Sequence, residues 1–262
     1  MNMSRIDMAV TYFAVVLCTF ASAQSNDLKS VRAAAERNDA AAQYRLGIAY
    51  LDGDVGIEQN AAEACRWFRR SAEAGYAPAQ NNFAACLMNG EGVARGVAEG
   101  AMWYRKAAEQ GLVAAEVNVG RAYRWGRGVE RDYSEALRWF RKAAEKRSGS
   151  AEVEIGELYE AGLGVARDLD AAEQHYGAAA DRITSVAFIK LAQLAQGGVG
   201  RPRNVVEAYK WYTLFLPFAG DDESTYRARR EALAAEMSRD QIDEALRRAD
   251  RWTDAHRPKR PR

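Results

Sequence analysis

Few side chains in this chain are of the kinds that do chemistry. There are two histidines, His175 and His256, and three cysteines, Cys18, Cys65 and Cys86. A zinc hydrolase of the His-Glu-x-x-His type needs two imidazoles one helical turn apart, and that motif is missing; no cysteine pair stands at metal-ligand spacing. Without a Gly-Lys dipeptide there is no P-loop lysine to reach a phosphate. The Gly-x-Gly steps follow no strand and so do not read as dinucleotide-binding loops. No Ser-x-x-Lys occurs, which counts against a serine acyl-enzyme. The many carboxylates fall on helix faces, where solvation explains them. The reading is therefore a protein that is not an enzyme and carries no metal or cofactor. A net charge of +1 lacks the basic excess of a nucleic-acid binder.

What these residues stand on is periodic. Glycines recur at Gly53, Gly90, Gly126, Gly162 and Gly198, with spacings of 37, 36, 36 and 36. A large ring recurs in register at Trp67, Trp103, Trp139, His175 and Trp211, each followed by a second ring: Phe68, Tyr104, Phe140, Tyr176 and Tyr212. A small residue precedes each pair by three (Ala64, Gly100, Ala136, Ala172, Ala208), and an apolar column runs Leu46, Phe83, Val119, Ile155 and Leu191. In this register His175 fills a ring position and reads as a packing residue. Five units of this length, each with one apolar face, bury it only by stacking on their neighbours.

Each unit reads as two helices. The glycine column closes the first in left-handed geometry. A Gly-x-Gly-Val loop follows in units two to four, and the second helix starts at an N-cap: Asn60, Gly96, Asp132, Asp168 or Asn204. Three residues on stand Glu63, Glu99, Glu135 and Glu207, expected to be the reciprocal partners of capping boxes. A turn glycine closes the first two units (Gly75, Gly111); Arg147 and Ile183 take its place in the next two.

The ends differ from the repeats. Arg5 followed by the uncharged run Met8 to Phe20 and then Ala21-Ser22-Ala23 reads as an export signal cleaved after Ala23. Thirteen helical residues rise roughly 20 Å, short of a hydrocarbon core of about 30 Å, so no stable membrane insertion is expected after cleavage. This gives a signal over 1–23, a capping helix within 24–41, repeats over 42–219, capping helices over 220–254 and a basic disordered tail over 255–262. Ile242, Ala245, Leu246, Ala249 and Trp252 are expected to form the apolar face of the last helix, started by a capping box at Ser238 and Gln241.

Trp103 to Gly111, together with the Gly-x-Gly-Val loop, an acidic cap and an alanine, resembles the signature of Sel-1-like repeats, relatives of the tetratricopeptide repeats. The resemblance covers about residues 40 to 218. It implies an all-α, right-handed superhelical solenoid of about five helix-turn-helix repeats with capping helices at both ends. It also implies a scaffold or adaptor, often exported in bacteria, here to the periplasm or beyond the cell. Some exported, cysteine-rich members are linked to penicillin binding or β-lactamase activity, and a cell-wall hydrolase or a regulator of peptidoglycan enzymes is the alternative reading.

If first helices line the concave face, as the family implies, their freely varying positions are the lining. One column holds Arg45, Asn82, Asn118, Glu154 and Lys190. The next holds Ile48, Ala85, Arg121, Glu157 and Gln193, and one turn on come Asp52, Asn89 and Trp125. The candidate binding residues for a protein or peptide partner are thus Arg45, Asn82, Asn89, Asn118, Arg121, Trp125, Glu154 and Glu157, with Trp125 expected to be exposed. The basic columns on the second helices (Arg69, Arg105 and Arg141, beside Arg70, Lys106 and Lys142) suit an anionic ligand. The simpler reading is i,i+4 pairing with Glu73, Glu109 and Glu145. Cys65 and Cys86 lie about ten residues either side of a turn centred near Gly75 and Tyr76, at equal height on antiparallel helices. A disulfide fits an oxidising compartment, and two buried thiols fit the same positions.

Overall fold

The chain divides into two compact units, residues 1–131 and 132–262. The computed structural model describes residues 28–53, 56–197 and 202–257. The expected signal, Gly198 of the glycine column and residues 258–262 of the expected tail lie outside the described residues. No strand occurs among the described residues.

The first unit holds α1 (residues 28–36), α2 (Ala40–Asp52), α3 (Ala61–Glu73), α4 (Ala77–Asn89), α5 (Val97–Glu109) and α6 (Val113–Trp125). The second holds α7 (Tyr133–Glu145), α8 (Gly149–Ala161), α9 (Leu169–Ala180), α10 (Ser185–Gln196) and α11 (Val205–Phe215). Two 3-10 turns (Leu216–Phe218 and Gly220–Asp222) follow, then α12 (Glu223–Ala234) and α13 (Arg239–His256). Even-numbered helices from α2 to α10 are the first helices of five repeats, and odd-numbered ones from α3 to α11 the second. Helix α2 starts at Ala40, two residues before the expected boundary. Asn38 turns the chain in left-handed geometry (φ 65°), and the Asp39 side chain accepts from the Ala42 N–H.

Asn60, Asp132, Asp168 and Asn204 cap the second helices through their side chains. The expected reciprocal half of the capping box is not formed there. Among the described helices it occurs at Ser238 and Gln241. The column of glutamates has other partners one turn ahead. Glu99 accepts from the Trp103 indole N–H (3.3 Å) and Glu135 from the Trp139 indole N–H (3.0 Å). Glu63 pairs with Arg66, and Glu207 with Lys210 and Arg248. The cap N–H is already used: Asn60 donates to the Tyr50 carbonyl (2.8 Å), Gly96 to Leu87 (2.9 Å), Asp168 to Tyr159 (3.0 Å) and Asn204 to Ala195 (2.7 Å), so the glutamate turns to other donors.

The apolar column Leu46, Phe83, Val119, Ile155 and Leu191 is buried, as are Ala64, Ala136, Ala172 and Ala208. In four of the five pairs the second ring packs more deeply than the first: Phe68, Phe140, Tyr176 and Tyr212 are at most 1% exposed, whereas in the second unit Trp103 and Tyr104 are both only partly buried. The deep ring needs a small partner on the first helix. A Cβ on Gly47 would stand 2.6 Å from the Phe68 ring, and one on Gly156 2.5 Å from the Tyr176 ring.

A buried polar column, which the periodic pattern did not reveal, stands three residues before the apolar one: Gln43, Gln80, Glu116 and Glu152. Gln43 donates to the Ala35 carbonyl (3.1 Å) and Gln80 to the Ala72 carbonyl (3.3 Å). These carbonyls lie in the last turns of the preceding helices and also accept from the turn N–H groups of Asn38 (3.1 Å) and Gly75 (3.0 Å), so each amide adds a second bond there. Phe188 replaces the column in α10, where the core turns aromatic with Trp211, Phe218 and Trp252 around it.

The Gly-x-Gly loop links one repeat to the one before it. Its second glycine, Gly128 (φ 79°), lies against the start of α5; a Cβ there would fall 2.1 Å from the Val97 carbonyl oxygen. Gly92 meets Ala61 at the start of α3 in the same way, and Gly164 meets Tyr133 at the start of α7.

At the C-terminal end, Ala245 and Ala249 are buried, but Leu246 is exposed, against expectation. The buried stripe of α13 is narrow, and Leu246 lies about 100° around the helix from Ala245. Helix α13 also runs on to His256, past the expected start of the tail at residue 255. The His256 ring stacks on Trp252 at 4.0 Å and its Nε2 lies 3.1 Å from an Asp181 carboxylate oxygen.

Candidate functional site

The candidate site lies in the first unit, where three helices end or pass close together. Helix α6 stops at Trp125 because Gly126 (φ 65°) takes the left-handed conformation and its N–H bonds the Ala122 carbonyl. The turn leaves the Trp125 ring 51% exposed, with the Arg124 guanidinium 5.4 Å above it. Beside the ring is a cleft of about 200 Å³. Helix α4 contributes Met88 and Asn89 to its wall, α5 contributes Tyr104, and α6 contributes Asn118, Arg121, Ala122 and Trp125; Arg127 closes it from the loop. Asn118, Arg121, Ala122 and Trp125 share one helical face by their spacing of three and four.

Burial pushes the Tyr104 phenol above its ordinary value, against the downward pull of the Arg127 and Arg121 guanidiniums. Both guanidiniums line the same cleft as that ring. Asn118 donates to Asn81 (2.9 Å), whose own amide donates to Asn82 (3.3 Å). Asn82 in turn hydrogen-bonds Tyr44. A polar rung thus runs along the first helices of the unit.

Of the residues singled out by register, Asn89, Asn118, Arg121 and Trp125 meet at this cleft. Asn82 joins the rung, and Arg45 is exposed on α2. In the second unit the same face is not open as expected. Glu154 is buried, at 5% exposure, and Glu157 is held by Lys190 at 2.7 Å. Acidic residues on α8 opposite a lysine one repeat later close into ion pairs instead of standing free.

Register alone missed Met88, Tyr104 and Arg127. Tyr104 belongs to the ring column, but it is only partly buried and lines the cleft. Arg127 is the variable residue of the Gly-x-Gly loop. Its position, two residues beyond Trp125, was the available signal.

Cys65 and Cys86 are joined by a disulfide with Cα atoms 6.1 Å apart. Arg69–Glu73 and Arg105–Glu109 form the expected ion pairs, but Arg141 donates to the Tyr159 hydroxyl at 3.1 Å rather than pairing with Glu145. His175 stacks on Tyr159 and its Nδ1 lies 2.8 Å from Glu152. No group of three or more His, Cys, Asp or Glu side chains arranged to hold a metal ion occurs among the described residues. No described helix is long and apolar enough to cross a membrane.

Five consecutive segments, residues 40–76, 77–112, 113–148, 149–182 and 187–215, match the model of the Sel1 repeat. Among solved structures, a protective antigen of uropathogenic Escherichia coli with an SLR fold is 32% identical with a TM-score of 0.66, over 80% of this chain and 48% of that one. A Sel1 repeat protein from Oxalobacter formigenes is 33% identical with a TM-score of 0.62, over 74% and 82% of the two chains. An F-box protein of Arabidopsis thaliana is 46% identical over 59 residues, 22% of this chain and 16% of the plant protein. The chain thus spans about half the length of the antigen and a small part of the F-box protein.

Proposed function

Because the chain belongs to the Sel1 repeat family, we propose that it is an exported, non-catalytic scaffold. It binds a protein or peptide through a concave face of first helices, with the Trp125 cleft as anchor. The apolar run and the Ala21-Ser22-Ala23 site support export, to the periplasm or outside the cell. The observation that carries the binding reading is Trp125 itself. Trp67, Trp139 and Trp211 of the ring column are buried, yet this tryptophan is half exposed beside a cleft. A cleft of about 200 Å³ is smaller than the roughly 300–1,000 Å³ of small-molecule sites. It is sized for one or two side chains of a larger partner. Exposed tryptophans beside such pockets are where binding energy concentrates.

Capture from envelope extract by the wild-type chain and by Trp125→Ala tests the reading. Loss of the anchor is worth ~2 kcal/mol or more, about 30-fold in Kd, with stability unchanged. Trp139→Ala is the control, since that ring is 6% exposed and its removal is expected to cost ~3–5 kcal/mol of stability. Equal capture by wild type and Trp125→Ala refutes the site. Export is tested separately by mass spectrometry of the native protein, whose first residue is expected to be Gln24; an intact Met1 refutes cleavage.

A further inference from the structure

The chemistry of the cleft goes beyond the presence of an anchor and restricts what the anchor holds. Its wall carries two guanidiniums, Arg121 and Arg127, and two amides, and no carboxylate. On α3 and α5 the exposed arginines are paired: Arg66 with Glu63, Arg69 with Glu73 and Arg105 with Glu109. Among the described residues the Arg127 side chain has no such ion pair or hydrogen bond, and it is exposed. The equivalent loop position is Glu91 in the second repeat and Leu163 in the fourth, and the position of Trp125 is Asn89 and Ala161. The cation and the exposed ring therefore coincide in the third repeat, on either side of Gly126. Periodic packing does not call for either one.

We propose that the cleft takes an acidic peptide segment: a carboxylate seats on Arg127, beside Arg121 and the Tyr104 hydroxyl, and a neighbouring large apolar side chain lies on the Trp125 ring. A planar guanidinium meets a carboxylate with two parallel N–H donors. The Tyr104 and Met88 wall shields one side of that pair from water. Shielding raises it above the small worth of a fully exposed salt bridge. The ring supplies the apolar half of the contact, and Asn89 is placed to bond the peptide backbone between the two. A sugar ring would also suit the tryptophan and the amides, but it gives the Arg127 guanidinium nothing to neutralise.

This inference rests on the Trp125 reading above, and the experiment separates the two. Random twelve-residue peptides displayed on phage are selected on the full chain. The selected sequences are then made as synthetic peptides and titrated against wild type, Arg127→Gln and Trp125→Ala. Both positions are exposed, so both variants are expected to keep the wild-type melting curve. The expected result is enrichment of Asp or Glu next to Phe, Tyr, Leu or Ile. Affinity falls at least tenfold with Arg127→Gln, with Trp125→Ala, and when the peptide's own acid is changed to its amide, and it weakens as salt is raised. Peptides that need Trp125 but are indifferent to Arg127→Gln and show no acidic enrichment overturn the carboxylate assignment and leave the anchor standing. Peptides indifferent to Trp125→Ala, or no selected peptides at all, overturn both.

Discussion

Gly128→Ala measures how tightly one repeat sits on the one before it. Two costs add. The residue holds φ at 79°, where a Cβ costs roughly 1–2 kcal/mol, offset by about 0.4–1 kcal/mol from a stiffer unfolded chain. The new carbon would also lie 2.1 Å from the Val97 carbonyl oxygen and 2.6 Å from its carbon. The obstacle is backbone at the start of α5, which has no rotamer to change, so the loop must lift by about an ångström; overpacking of this kind costs roughly 1–3 kcal/mol. The total is ~2–4 kcal/mol. Gly75→Ala is the internal reference, because its φ is 89° and a Cβ there meets nothing within 4 Å. It carries the conformational cost alone, about 1 kcal/mol. Urea unfolding of both variants gives the difference. Amide exchange in α5 shows whether the loss is local, which matters because repeat arrays need not unfold in two states. Equal destabilisation of the two variants, within about 0.5 kcal/mol, would refute the claim that the loop glycine exists for close approach.

Ile183 holds a left-handed φ of 56° with a β-branched side chain that is 49% exposed. Ile183→Gly is therefore expected to raise stability by about 1 kcal/mol, and a lower melting temperature would contradict the strain. Replacing Cys65 and Cys86 together by alanine opens a loop with a sequence separation of 21. It should cost about 3 kcal/mol by the chain-entropy estimate, read as a drop in the urea midpoint that reductant does not deepen. Burial alone would raise the Glu207 carboxyl, but Arg248 and Lys210 outweigh it and hold the group below its usual value. Its stabilisation is therefore present above the ordinary carboxylate range and lost as pH falls through the lowered value. Glu207→Gln is expected to cost about 1 kcal/mol at pH 7, discounted because Arg248 is 38% exposed, and nothing near pH 2. A thermal-melt difference that is the same at both pH values would show that the pairing is not the cause.

The repeat period, the two helices per unit and the caps at Asn60, Asp132, Asp168 and Asn204 were legible because each rests on local chemistry or on a 36-residue rhythm. What was misread involves competition between partners. Glu99 and Glu135 stand where a capping box would place them, but the indole four residues on takes them. Gln43 and Gln80 serve carbonyls of a preceding helix, and no spacing within one helix signals that. For the site, register placed Asn89, Asn118, Arg121 and Trp125 on one face, since a helix fixes direction. It did not tell an open face from a closed one. The pairing of Glu157 with Lys190 joins two repeats, and Tyr104 lines the cleft from a column that register assigns to the core.

The Cys65–Cys86 bond crosses from the second helix of one repeat to the first helix of the next, so it encloses the turn between them. Drawn from both ends by force, the chain would pay out every segment except this one. A separation of 21 residues withholds about 70 Å of contour length at roughly 3.4 Å per residue. A protease nick at the Gly75 turn would likewise leave the two flanking pieces joined and migrating as one until reductant is added. The N-terminal repeat pair thus has a covalent memory of its pairing that the packed repeats after it must recover from contacts alone.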